Sequence, residues 1–295
     1  MNNDSFEFYV DRHGDEIKKI LKEKYNFSNR LMRKLEESGN IYLNGYNAKL
    51  DKNTYIDDVI KVEFEDEENI YSSTKMDLEI LYEDEDILGL NKPPFILVHP
   101  SKEDRNDTLA NGLVWLFENK NISRKIRFIN RLDMNTSGVV LIAKNPYGQS
   151  ILMKEMQKNK VVKKYLALVE GYPDKNEGTI DKPIGLPEGE NIKRAVLDSG
   201  DYSITKYSVK EKLKNNISLI ELKLETGRTH QIRVHMAHIG HPVLGDELYC
   251  SKSKLINRQA LHCVEINFEN TRNHDFTCVK APLPNDFKKI LEDNR

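Results

Sequence analysis

Hydrophobic and polar positions divide the chain into two differently patterned parts. Near the N-terminus, Ile17, Ile20, Leu21 and Tyr25 recur at helical spacing and predict a first short helix. Ser28 reads as the N-cap of a second helix, which carries Leu31, Met32 and Leu35 and stops at Gly39. The period then changes to two, in Ile41-Tyr42-Leu43 and in Ile60 to Phe64, with Asn44-Gly45 as the hairpin signal between them. Two helices followed by a hairpin-rich sheet predict a small α/β module over residues 1–68. Residues 66–76 are polar and aperiodic, so a linker is expected at 69–76.

From residue 77 to 295 the pattern is strand-rich and interrupted by helices. Strands are predicted at 87–90 and 95–98, around the rigid turn Asn91-Lys92-Pro93-Pro94. A helix is expected at 109–117 and another from near Ser150. Tyr165 to Val169 reads as a buried strand, and Ile220, Leu222 and Leu224 alternate as a strand with one wet face. A last helix is expected to begin with Arg228, to put Ile232, His235, Met236 and Ile239 on one face, and to end at Gly240. Alternation alone supports a strand-rich α+β fold.

The centre of this part is 130–144, where Arg131-Leu132-Asp133 and the turn Thr136-Ser137-Gly138 run straight into five apolar residues. That places Asp133 at the lip of a core, where burial and a neighbouring cation act on it in opposite senses. For an isolated aspartate, capping its own turn is the commoner role. The surroundings must decide.

Composition narrows the choices. With 295 residues, 38% of them hydrophobic, the chain can hold two domains and a sizeable core. No apolar run reaches membrane-spanning length and the first residues have neither a basic nor an apolar signal region, so a soluble cytoplasmic protein is expected. Cys250, Cys263 and Cys278 are odd in number and never form Cys-x-x-Cys, which argues against a disulfide framework or a zinc ribbon. The net charge of −2 hides a strong asymmetry: residues 120–165 hold eleven lysines and arginines against Asp133 and Glu155. A polyanionic substrate fits that stretch. Arg30, Arg33 and Lys34 on the second helix could likewise track a phosphate backbone.

Residues 28–31 with 37–45 resemble the small RNA-binding module shared by a ribosomal protein and many RNA-modifying enzymes. Four further motifs resemble, in order, those of the RluA/RluD family of pseudouridine synthases. These are Arg131-Leu132-Asp133 with Thr136-Ser137-Gly138, Lys164-Tyr165, the run from Thr226 to His235, and Gly240-His241-Pro242-Val243-Leu244-Gly245-Asp246. The resemblance implies an α+β catalytic domain over 77–295 with a mixed, largely antiparallel sheet flanked by helices and loops. It implies isomerisation of uridine in structured RNA without a cofactor or metal, ribosomal RNA being the first expectation and transfer RNA the second. Asp133 corresponds to the family's catalytic aspartate, either nucleophile or base; Arg228 to the arginine that ion-pairs it; Tyr165 to the tyrosine that packs on the uracil. Arg131 corresponds to the residue that fills the gap left by a flipped base, and Lys164 joins the RNA-binding set. Asn130 stands where the family usually has histidine, from which altered RNA contacts and intact chemistry are expected. A monomer is expected.

Other readings are weaker. Asp133-Met134-Asn135-Thr136 lacks the second carboxylate of an Asp-x-Asp-x-Thr phosphotransferase site. His230, His235, His238 and His241 lack zinc-type spacing, and His235 is expected to be a satisfied core residue. The rival from another class is a non-catalytic RNA-binding or ribosome-assembly protein, which has no chemical need for Asp133, Tyr165 and Arg228 together.

Overall fold

The computed structural model describes residues 5–65, 67–100, 106–250 and 252–295. Residues 1–4, at the head of the expected module, and Asp66, at the head of the polar stretch, lie outside them. The N-terminal elements are β1 (Ser5–Tyr9), α1 (Ile17–Glu23), α2 (Asn29–Glu37), β2 (Ile41–Leu43), β3 (Tyr46–Asn47) and β4 (Val59–Glu63). Ser28 caps α2, its hydroxyl accepting from the Leu31 N–H at 3.2 Å. The Asn44-Gly45 turn has φ 51° and 83°, the left-handed pair that such a hairpin needs. The strand β1 was not anticipated, although Phe6, Phe8 and Val10 alternate inward; it pairs antiparallel with β4 and completes a sheet of order β1-β4-β2-β3.

The larger part contains β5 (Glu79–Glu83), β6 (Ile87–Lys92), α3 (Leu109–Asn119), β7 (Arg127–Phe128), β8 (Ser137–Ala143), α4 (Pro146–Gln157), β9 (Val162–Glu170), β10 (Glu177–Asp181), β11 (Ile184–Gly185) and β12 (Ala195–Val196). It continues with β13 (Ile204–Leu213), β14 (Ile217–Leu224), α5 (Gln231–His238), β15 (Leu261–Glu269), β16 (Phe276–Lys280) and α6 (Asn285–Asn294). One sheet runs β10-β13-β14-β9-β15-β8-β6-β5, with β7 beside β8 and β16 beside β15. Among the described residues only β15 and β8 pair parallel in this sheet; its other pairs are antiparallel. The sheet is therefore mixed and largely antiparallel, as expected. All seven residues of β8 are buried, and its Val139, Val140, Leu141 and Ile142 each contribute about 1.5–3 kcal/mol of apolar burial.

Three expected boundaries move. Residues 95–98 are not a strand: Pro93 and Pro94 remove two backbone donors, Phe95 takes φ 68°, and the Lys92 ammonium gathers the carbonyls of Pro93 and Ile96 at 2.8 Å each into a loop. Helix α4 starts at Pro146 rather than near Ser150, because Asn145 caps it by accepting from the Gly148 N–H and proline suits the first turn. Helix α5 starts at Gln231 and not at Arg228, since His230 sits in the left-handed region at φ 57° and breaks the helix before it.

The two parts are packed together. Tyr147 of α4 lies in the N-terminal apolar cluster, its ring centroid 4.6 Å from those of Phe6 and Phe27. The Arg272 guanidinium lies 3.8 Å from the Phe6 ring centroid while pairing with the buried Asp86 at 2.8 Å. Arg124 donates to the carbonyls of Phe64 and Glu65, and Arg127 pairs with Glu67. The polar stretch after it is fastened too, through Asn69 to the Arg124 carbonyl and Asn111 to the Ser72 carbonyl.

Candidate active site

Three neighbouring strands bring the site together. Gly138 of β8 lies beside Cys263 of β15, and Cys263 beside Tyr165 of β9. Gly138 has φ 113°, and a Cβ there would come within 2.2 Å of the Cys263 carbonyl oxygen, so glycine alone allows this approach. The loop between β7 and β8 enters the same strand end and carries Asp133. Buried side chains hold that loop by its backbone. Lys92 Nζ donates to the Met134 carbonyl at 2.9 Å, and Arg258, forked onto Asp286 at 2.7 and 2.9 Å, donates to the Asn135 carbonyl at 3.1 Å. Gln259 donates to the Thr136 hydroxyl at 3.2 Å. Burial pulls the Lys92 pKa down to about 7, against the opposing pull of the Asp133 charge.

Asn130 belongs to the same bracing. Its amide accepts from the Leu141 N–H at 2.8 Å and donates to the Val139 carbonyl at 3.2 Å, and the residue is buried. Asn130 thus braces the edge of β8 while also lining the cleft.

Asp133 Oδ2 accepts from Arg233 Nη1 at 3.0 Å. Arg233 forks onto Asp246, with Nε 2.7 Å and Nη2 2.9 Å from its two oxygens, and the Asp246 side chain is fully inaccessible. Asp246 Oδ1 also accepts from the N–H groups of Leu248 and Tyr249 at 3.1 and 3.3 Å, and the Tyr249 ring centroid lies 5.1 Å from the guanidinium. Burial works against the Arg233 cation, but its hydrogen bonds and charge contacts with Asp246 and then Asp133 win and hold its pKa above the ordinary value. One buried cation thus stands between two carboxylates, fixed by the inner one and offering an N–H to the outer one. Asp133 Oδ1 has no hydrogen-bond partner among the described residues, and Asp133 lines the cleft.

That cleft measures about 760 Å³ and is lined by Tyr165, Lys163, Arg131, Arg228 and His230, among others; Asp133 is its one carboxylate among the described residues. The Tyr165 phenol is buried, and burial, with the Cys263 thiol and the Asp133 charge beside it, raises its pKa far enough that it stays neutral at ordinary pH. The Cys263 thiol is pushed up by burial to about 12, in keeping with an inert thiol. His230 bonds through Nδ1 with the Tyr249 hydroxyl at 2.9 Å.

Two sequence assignments change. Arg228 does not reach Asp133: it is exposed at the rim, with Nη1 3.8 Å from Asp201 and Nε donating to the Tyr202 carbonyl at 3.2 Å. The ion pair belongs to Arg233, because the turn at 228–230 delays α5 and puts its first turn, with Arg233 as the third residue, beside Asp133. The signal was available in Gln231-Ile232-Arg233-Val234-His235-Met236: an arginine inside a buried run needs an anionic partner. Lys164 points away from the cleft and pairs with Glu265 at 2.6 Å, whereas Lys163, one residue earlier, lines it. Arg131 is exposed on the cleft, with no side-chain partner among the described residues. Arg30, Arg33 and Lys34 are exposed on α2, Lys34 lying 3.6 Å from Glu67. His235 is the satisfied core residue expected, between the Thr205 hydroxyl and the Lys182 carbonyl at 2.9 Å each.

A large cleft with a cationic wall and, among the described residues, a single carboxylate suits the modification of a polyanion. Comparison with known proteins specifies the class. A profile of the RNA pseudouridylate synthase family matches residues 86–238, just over half of the chain. The chain is 39% identical to the RNA pseudouridine synthase YhcT of Bacillus subtilis over 72% of its own length and 71% of that protein's. It is 30% identical to the ribosomal large subunit pseudouridine synthase D of Pasteurella multocida over 98% of this chain and 94% of that one. The human RNA pseudouridylate synthase domain containing 1 superposes with a TM-score of 0.59 at 25% identity, covering 76% of this chain and 97% of that one. The chain belongs to the RNA pseudouridylate synthase family, in its RluA/RluD branch, and is an isomerase that converts uridine in RNA to pseudouridine. The non-catalytic reading falls with that.

Proposed function

We propose that Asp133 is the reacting carboxylate and that Arg233, held by Asp246, is the cation that positions it. The observation that carries this is the asymmetry of Asp133: one oxygen is tied to a buried arginine, and the residue opens onto the cleft beside Tyr165. In the isomerisation the glycosidic bond from N1 breaks, the uracil turns, and its carbon 5 bonds to the ribose; carbon 5 gives up its proton and the freed N1 takes one up, so that the product is an isomer of uridine. Asp133 acts at the ribose, as nucleophile or base. Tyr165, a neutral phenol, supplies an apolar ring for the uracil to lie on. Arg131 occupies the space vacated by the flipped uridine.

The substrate is ribosomal RNA, a reading supported by the name of the Pasteurella relative, and the reaction takes place in the cytoplasm. Residues 1–68 form the RNA-binding module, using Arg30, Arg33 and Lys34 as phosphate contacts. A short linker, 69–76, joins it to a catalytic domain at 77–295. Among the described residues no helix is long and apolar enough to cross a membrane. The test is pseudouridine mapping of ribosomal RNA from cells with the gene, without it, and with Asp133→Asn. The amide keeps the size and loses the charge, so at least one pseudouridine should vanish in both altered strains, while purified Asp133→Asn binds RNA within a few-fold of wild type. Retained conversion by the variant would sink the assignment.

A further inference from the structure

Beta-strand alternation turns Lys163 and Tyr165 to the same side of β9, so the ammonium enters the cleft two residues from the ring on which the uracil is read to lie. Lys163 is 9% exposed, yet its side chain makes no hydrogen bond and no ion pair among the described residues. Its Nζ lies 3.5 Å from where a Cβ on Gly227 would stand, a position that glycine leaves open. Every other strongly buried cation described above has found acceptors: Lys92 three carbonyls, Arg233 two carboxylates, Arg258 a carboxylate and carbonyls. Asp133, the one carboxylate of the cleft among the described residues, is already taken by Arg233. A mostly buried ammonium without an anion carries an uncompensated desolvation cost, and burial accordingly lowers its pKa. An anionic ligand that enters the cleft offsets that cost and favours the charged form.

We propose that Lys163 is a substrate-binding residue that takes a backbone phosphate adjoining the uridine bound against Tyr165. The inference rests on the functional reading above and adds a specific contact to it. A phosphodiester is the anion that every nucleotide of an RNA brings, and a point-charge ammonium accepts it without a fixed approach angle. Such a contact would draw the ribose of the target nucleotide toward Asp133, while leaving the choice of base to the rest of the cleft.

The test pairs a variant with a modified substrate. A short single-stranded RNA carrying one uridine is made with normal linkages, or with a neutral methylphosphonate on the 5′ or the 3′ side of that uridine. Wild-type protein should lose about tenfold in affinity when one of the two linkages is neutral, the size of one charge-assisted hydrogen bond. Lys163→Met should bind the normal RNA about tenfold more weakly, be indifferent to the neutral linkage, and show a log-log salt slope reduced by about 0.7. Lys163→Arg should retain the linkage effect. If Lys163→Met does not fold, Lys163→Gln carries the same comparison. Wild-type affinity in the charge-removing variant, or an undiminished linkage effect in it, overturns the proposal. Conversion of uridine by the wild type is scored separately, so failure of the Lys163 contact and failure of the Asp133 assignment give different results.

Discussion

At the residue scale the sharpest contrast is between Arg228 and Arg233, five positions apart and both facing the same cleft. Arg228 is exposed and pairs loosely with Asp201, whereas Arg233 is buried between Asp133 and Asp246. Removing one partner of a buried ion pair leaves the other uncompensated, so Arg233→Met should lower stability by about 3–5 kcal/mol. It should also lower the single-turnover rate by two orders of magnitude or more, with Arg233→Lys recovering part of both. Arg228→Met should leave stability unchanged and alter the rate by no more than a few-fold. Denaturant melts and single-turnover assays on the three variants check this; a silent Arg233→Met beside an inactive Arg228→Met would reverse the assignment. Asp133 and Tyr165 were legible because each falls in a motif that fixes its position. The identity of the paired arginine was not, because it depends on where α5 begins, and a left-handed residue at His230 sets that.

At the element scale the parallel junction of β8 and β15 carries the site, and His262 lies inside it. Its Nδ1 is 2.9 Å from the Ser137 hydroxyl and its Nε2 3.4 Å from the Ala281 carbonyl, with the ring fully buried. Burial pulls its pKa down to about 4 from the ordinary 6.5. The unfolded chain therefore takes up this proton first as pH falls. Above the ordinary value neither state is protonated and His262 leaves stability independent of pH. Between there and about 4 the unfolded state gains, and stability falls by up to about 3 kcal/mol before levelling off. His262→Gln keeps polar contacts without titrating, so the difference in urea-unfolding free energy between wild type and variant should narrow on going from neutral pH to about pH 4.5. A constant difference would show that the imidazole does not stay neutral. Strand β8 itself was legible from its apolar run. The junction was not, because a parallel pairing between residues more than a hundred positions apart leaves no local pattern.

For the whole molecule, the question is how the N-terminal module works with the cleft. Phe6 and Phe27 enclose Tyr147, and Arg272 covers Phe6, so deleting the module would uncover apolar surface and confuse binding with stability. A cleaner change is Arg30→Ala, Arg33→Ala and Lys34→Ala together in the full chain, since all three are exposed on α2. If they contact phosphates, affinity for ribosomal RNA should fall and the log-log salt slope should drop by about two to three. Conversion of a short single-stranded substrate, which cannot reach both parts, should stay near wild type. An unchanged slope would count against an RNA-binding role for this face of the module.

Local chemistry determined much from sequence alone. The Ser28 cap, the Asn44-Gly45 hairpin, the buried strand after Gly138, the satisfied core position of His235 and the presence of Asp133 and Tyr165 in one site all rest on neighbours in the chain or on ordered motifs. Three things waited for the tertiary structure. The 95–98 segment looked like a strand until Lys92 drew in the Ile96 carbonyl, Lys164 was expected among the RNA-binding residues until strand parity turned Lys163 into the cleft, and Arg233 had no visible partner until the fold brought Asp133 and Asp246 to it. In each case the deciding interaction joins a buried charge to groups distant in sequence or placed by strand direction. Hydrophobic periodicity reports which face is buried, but which acceptor meets a buried cation is settled only when the strands are assembled.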